Sequence, residues 1–171
     1  MIRKLRVVFD LDNTTFMTSK AFIDTYKTIH QKEIESGLIP FPIWEGVVDY
    51  NFKDELPLLT RQELLEIFDS EAFFDNISLV RDSNLFSMGD LITQMCKSNK
   101  YEIFICTVGS ATNLALKEKY ISRKFPDFDM NNFIGIDSAE CKMDKSILKD
   151  YNVDILIDDH QDNLITSGVP H

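Results

Sequence analysis

Four short apolar runs constrain this chain more than anything else in it: LRVVF at residues 5–9, YEIFIC at 101–106, NFIGI at 132–136 and VDILI at 153–157. Each is short and rich in Val, Ile or Phe. Such continuous runs fit strands buried on both faces, as in a parallel sheet covered by helices. The stretches SMGDLITQMCKS at 87–98 and TNLALKEKYISRK at 112–124 carry apolar residues at helical spacing, and KSILKD at 145–150 reads as a short helix. From residue 87 onward the order is helix, strand, helix, strand, helix, strand. That alternation predicts an α/β fold with a parallel sheet and helices on both faces.

Residues 17–80 break the alternation. AFIDTYKTIHQKEIES at 21–36 predicts one helix ending at Gly37, with His30 on its surface. LIPFPIWEG holds two prolines and reads as loop, and Thr60-Arg-Gln-Glu63 is a capping box ahead of a second helix. The expected organisation is therefore a core of residues 1–16 and 81–171, with 17–80 as a helical insertion capping the C-terminal edge of the sheet.

Composition narrows the function. A chain of 171 residues suffices for one domain with a core and a small insertion. A net charge of −10 argues against a binder of nucleic-acid polymers, which needs a basic footprint. Cys96, Cys106 and Cys141 are odd in number and form no CxxC, which suggests a reducing compartment. Acids arrive too early for a signal-peptide core, and no apolar run has membrane-spanning length. The expectation is a soluble cytoplasmic protein with no membrane partner.

Polar groups gather at the strand ends. Asp10 and Asp12 follow the first strand, Thr107 the second, and Asp158-Asp159 the last, with Lys142 and Lys145 shortly before it. In parallel sheets, ligands bind outside the carboxyl ends of the strands. Singly, each has an ordinary reading as a turn, a cap or a solvated lysine. As an ordered set they make a chemical proposition. Clustered carboxylates favour a hard divalent cation such as Mg²⁺, with Asp10 and Asp158 as direct ligands and Asp12 adding its backbone carbonyl. One Asp can attack phosphorus, and the other can protonate the leaving oxygen and later activate water. Thr107, nearby backbone N–H groups and a lysine can hold the phosphate.

FDLDNT, FICT, a lysine and LIDD, in that order along the whole chain, resemble the motif set of the haloacid dehalogenase-like (HAD) superfamily of phosphatases. EAFFDNI, EIFICT, EKY and DKSIL…DILIDD look most like the 5'(3')-deoxyribonucleotidases, the cytosolic type C 5'-nucleotidase group. The resemblance implies a Rossmann-like HAD core with a type-1 cap. It makes Asp10 the nucleophile and Asp12 the general acid/base. Thr107 would bind the phosphoryl group, with Val108 contributing only a backbone N–H where the subgroup often has Ser. Asp158 would ligate Mg²⁺ and Asp159 would support it. Lys145 best matches the family lysine, with Lys142 the alternative. Asn13 stands where the subgroup usually has Gly.

The activity implied is Mg²⁺-dependent hydrolysis of (deoxy)nucleoside monophosphates through an aspartyl-phosphate. The alternatives are a HAD phosphatase for another small phosphate ester and a non-catalytic nucleotide-binding protein on the same fold. Phe16, Trp44, Phe73 and Phe74 are candidates for an aromatic wall against the base, or else for cap core. The partner expected is a small phosphorylated molecule, and a homodimer is left open. Receiver-type signalling domains also cluster Asp, Thr and Lys, but they carry their paired acids early and their lone acceptor mid-chain, the reverse of this order.

Overall fold

The structure, a computed structural model, describes residues 3–44, 52, 55–56, 58–82, 86–139 and 145–169. Its centre is β1 (Leu5–Phe9), which pairs in parallel with β4 (Tyr101–Gly109) on one side and β6 (Ile155–Ile157) on the other. β5 (Phe133–Asp137) joins the outer side of β4, so the order is β5-β4-β1-β6 with every pairing parallel. Phe9 lies level with Ile105 and Ile157, and Thr107 lies level with Gly135.

Alternation along the strands explains why the runs are apolar throughout. Val8, Phe104, Cys106, Ile134, Ile136 and Leu156 form one buried cluster with Leu148 and Val169. Val7, Phe9, Ile103, Ile105 and Thr107 take the intervening positions and are buried too. On the Thr107 face lies α6 (Ala111–Lys124), drawn in close over Gly135: a Cβ there would meet Leu114 at 3.3 Å. The opposite face is covered by Leu148 of the 3-10 turn Ser146–Tyr151 and by Leu164 of α7 (Gln161–Ser167). The sequence expectation of an α/β parallel sheet with helices on both faces is met.

Two boundaries differ from the sequence reading. β4 runs on to Gly109 because β5 continues to pair with it, Val108 beside Ile136 and Gly109 beside Asp137, so Thr107 lies within the strand. The short helix expected over 145–150 is present as a 3-10 helix, Ser146–Tyr151. The 3-10 turn there ends at Asn152 with a left-handed φ of 50°. A short hairpin, β2 (Arg81–Asp82) with β3 (Phe86–Ser87), precedes α5 (Met88–Lys97). Ser87 and Asp90 form a reciprocal capping box on α5.

The chain divides into two compact units, Met1–Phe16 with Leu79–His171, and Met17–Ser78. The second is helical: α1 (Thr18–Ile29), α2 (Gln31–Glu35), α3 (Arg61–Phe68) and α4 (Glu71–Asp75). α1 packs on α3 and α4, and its Phe22 stacks on Phe52 at 4.2 Å. The single helix expected over 21–36 is two. It breaks at His30, whose backbone leaves the helical region (φ −100°, ψ 22°). The His30 ring packs on Tyr26 at 4.4 Å, and its Nε2 pairs with the Glu63 carboxylate of α3. His30 is thus an inter-helix tie, not a surface residue. Thr60 still caps α3, its Oγ1 accepting from the Glu63 N–H at 3.2 Å. α2 is capped by Ser36 and followed by Gly37, whose φ of 76° suits glycine. No helix among the described residues is long and apolar enough to cross a membrane.

Candidate active site

Asp10 comes directly after β1, and its N–H donates to the Ile157 carbonyl at 2.9 Å, tying it to the end of β6. The chain then folds back on itself, with the Thr15 and Phe16 N–H groups donating to the Leu11 carbonyl at 2.9 and 2.7 Å. Asn13 holds a left-handed φ of 55° in this turn. Asn adopts that conformation more readily than other residues with a Cβ. This accounts for Asn at position 13, where glycine would also serve. The Thr14 hydroxyl donates to Asp159 Oδ1 and accepts from the Asp159 N–H, both at 2.9 Å, binding the turn to the paired acids.

Lys145 is 1% exposed, and its Nζ donates to Asp10 Oδ1 and to Asp158 Oδ2, each at 2.5 Å. Lys142, the alternative, lies outside the described residues. The Asp158 carboxylate also accepts from the His160 N–H at 2.8 Å and from Asn163 Nδ2 at 3.1 and 3.2 Å. Carboxylate oxygens of Asp10, Asp158 and Asp159 lie within 4.8 Å of one another.

The Asp12 side chain is engaged elsewhere. Its Oδ2 accepts from Lys117 Nζ at 2.5 Å. The same Nζ donates to Thr107 Oγ1 at 2.9 Å and to the Val108 carbonyl at 2.8 Å. Sequence reasoning singled out neither Lys117 nor Asn163. The sequence carried no clear signal for Lys117: it shares the buried positions of α6 with Asn113 and Ile121, a mixed rather than apolar set that only the packing reveals.

Burial pushes the Asp10 carboxyl up to about 7; Lys145 opposes the rise, and the neighbouring carboxylates of Asp12 and Asp158 add to it. Burial disfavours the Lys145 ammonium, yet Asp10 and Asp158 outweigh it and raise its pKa. Around this edge stand four carboxylates (Asp10, Asp12, Asp158, Asp159) and two ammonium groups (Lys117, Lys145). With all of them ionised, the surplus is negative and a phosphate dianion would be repelled. A divalent cation would cancel the surplus, and the Asp10–Asp158–Asp159 oxygens are the hard donors it prefers. The donor set fits such an ion.

The aromatic candidates fare differently from one another. Phe16 is fully buried, edge-on to Tyr120 at 5.1 Å. Phe73 and Phe74 are buried, edge-on to each other, with Phe73 also against Phe68. All three rings are buried against neighbouring aromatic side chains, which agrees with their reading as core packing. Trp44 is half-buried, and its Nε1 is buried with no hydrogen-bond partner among the described residues. The Val108 side chain packs partly against the sheet's apolar cluster.

The fold, with its parallel sheet ordered β5-β4-β1-β6, is similar to that of solved haloacid dehalogenase-like hydrolases. A HAD-superfamily hydrolase of subfamily IA from Geobacter sulfurreducens superposes with a TM-score of 0.52 at 13% identity, over 98% of this chain and 85% of that one. A haloacid dehalogenase-like hydrolase from Streptococcus pneumoniae gives 0.52 at 12% identity, over 96% and 80%. A protein of Clostridium difficile designated a phosphatase gives 0.53 at 13%, over 98% and 81%. No family model and no curated protein matches the chain. At such identities the likeness speaks for the fold, and the chemistry must come from the site.

Proposed function

We propose that this chain is a phosphomonoesterase that works through an aspartyl-phosphate on Asp10. One observation carries the reading: Lys145 bridges Asp10 and Asp158 at the strand ends, while Asp12, two residues from Asp10, is held in a separate contact with Lys117. The two aspartates are thereby given different surroundings and can take different roles.

In the first half-reaction an Asp10 oxygen bonds to phosphorus as the ester P–O bond breaks. Asp12 gives its proton to the departing oxygen. In the second, Asp12 takes a proton from water as the water oxygen bonds to phosphorus. The bond between the Asp10 oxygen and phosphorus breaks, freeing phosphate and leaving Asp10 ionised and Asp12 protonated, as at the start. Lys145 orients Asp10 and offsets charge on the entering phosphate. Asp10, Asp158 and Asp159, with the Asp12 carbonyl, would hold Mg²⁺. Bound there, Mg²⁺ supplies charge neutralisation for the phosphate and favours the ionised form of Asp10.

For the substrate we infer a (deoxy)nucleoside monophosphate, on the strength of the 5'(3')-deoxyribonucleotidase-like motifs. The burial of Phe16, Phe73 and Phe74 favours the broader alternative of another small phosphate ester, because it removes most of the proposed stacking wall. The acidic chain supports a small phosphorylated partner over a polymer, and the odd number of cysteines with no CxxC supports a reducing, cytoplasmic setting. Phosphate release from a panel of nucleoside monophosphates and sugar phosphates with Mg²⁺ tests this. Fast release from deoxynucleotides supports the nucleotidase reading. Uniformly weak release from nucleotides beside rapid release from a sugar phosphate contradicts it.

A further inference from the structure

We propose that Lys117 is the positioning residue for proton transfer, fixing the Asp12 carboxylate to α6 and β4 in the orientation both half-reactions need; this rests on the phosphomonoesterase reading above. Lys117 is 2% exposed. A buried ammonium is costly unless its donors are met. Here Asp12 Oδ2, Thr107 Oγ1 and the Val108 carbonyl lie at 2.5, 2.9 and 2.8 Å, one acceptor for each of its three N–H bonds. No N–H remains for a substrate phosphate, so Lys117 touches no reacting atom.

The anchors matter as much as the charge. Asp12 lies outside the sheet strands and the helices, beside the turn at 13–15 and bridged to Phe16. Lys117 comes from the middle of α6, and two of its acceptors belong to β4. The contact thus pins a loop carboxylate to two rigid elements. Thr107 joins the same network, its Oγ1 accepting from Lys117 and lying 3.4 Å from Asp12 Oδ2. With Oδ2 committed to Lys117, the transferable proton belongs on Oδ1.

Leaving-group chemistry tests this. p-Nitrophenolate departs without a proton, so Asp12 is dispensable for forming the aspartyl-phosphate from p-nitrophenyl phosphate but needed for its hydrolysis. In Lys117→Met, stopped-flow should record a burst of about one p-nitrophenolate per enzyme, then turnover slowed by roughly 100-fold. An alkyl phosphate should be slowed at both steps and give no accumulation of phosphoenzyme. Asp12→Asn should behave alike, and the double variant should be no slower than either single one. Lys117→Arg should recover most of the turnover. Thermal melts identify a methionine variant that does not fold, in which case Lys117→Gln carries the same readout. Wild-type kinetics in a folded Lys117→Met protein, or equal loss on both esters without a burst, overturns the role of Lys117 while leaving the phosphatase reading intact. A wild-type protein inactive on both esters overturns the reading and this role together.

Discussion

Asn13 illustrates how one residue can serve geometry rather than chemistry. Its φ of 55° would strain most side chains, and glycine would tolerate it. Asn13→Ala should cost about 1 kcal/mol in chemical denaturation, and Asn13→Gly should cost less. An alanine variant as stable as wild type would mean that the turn relaxes to another conformation. Asp10 makes a second prediction. Its folded pKa of about 7 lies above the ordinary 3.8, so the folded protein keeps a proton that the unfolded chain releases. That contribution is complete below the unfolded value and is lost as pH rises through about 7. In EDTA, the melting temperature should therefore fall between about pH 5 and 8, and Asp10→Asn should flatten the slope. An unchanged slope in the variant would assign the dependence to other groups. Asp10, Asp12, Thr107, Lys145 and Asp158 were legible in the sequence because chemistry-bearing types stood at or near strand ends in a fixed order. Lys117 and Asn163 were not singled out. A lysine in a helix usually reaches water, and only the packing of α6 reveals that this one does not.

At the level of elements, legibility followed burial. β1 matched its apolar run because pairing on both sides fixes its limits. β4 outran its apolar run because hydrogen bonding to β5, not hydrophobicity, decides where a strand stops. The break at His30 was hidden because the apolar period continues through it, and the cause is a tertiary partner, Glu63. The Ser87–Asp90 box marks the start of α5, between the hairpin and the helix leading into β4. Ser87→Ala should lower stability by about 1 kcal/mol, read from urea denaturation, with activity retained. A loss of activity without a loss of stability would show that this cap has a part in the site.

For the whole molecule, the fold class was legible because doubly buried strands leave so clear a pattern, and the order of helices and strands then fixed an α/β sheet. The substrate was far less legible. An aromatic in a helical insertion reads the same whether it lines a pocket or fills a core, and Phe73 and Phe74 prove to be packed inside their own unit. The Asp cluster, the bridging lysine and the turn at Asn13 are built by residues far apart in sequence, brought together by three adjacent strands. What unites them in this account is a covalent intermediate on one carboxylate. Rapid acid quench of the Mg²⁺-loaded protein turning over a phosphomonoester, followed by mass spectrometry of its peptides, tests that directly. The account predicts a phosphoryl group on Asp10 and on no other residue, absent together with all phosphate release in Asp10→Asn. Sustained phosphate release by the Asp10→Asn protein, with no phosphorylated Asp10 in the wild type, would contradict it.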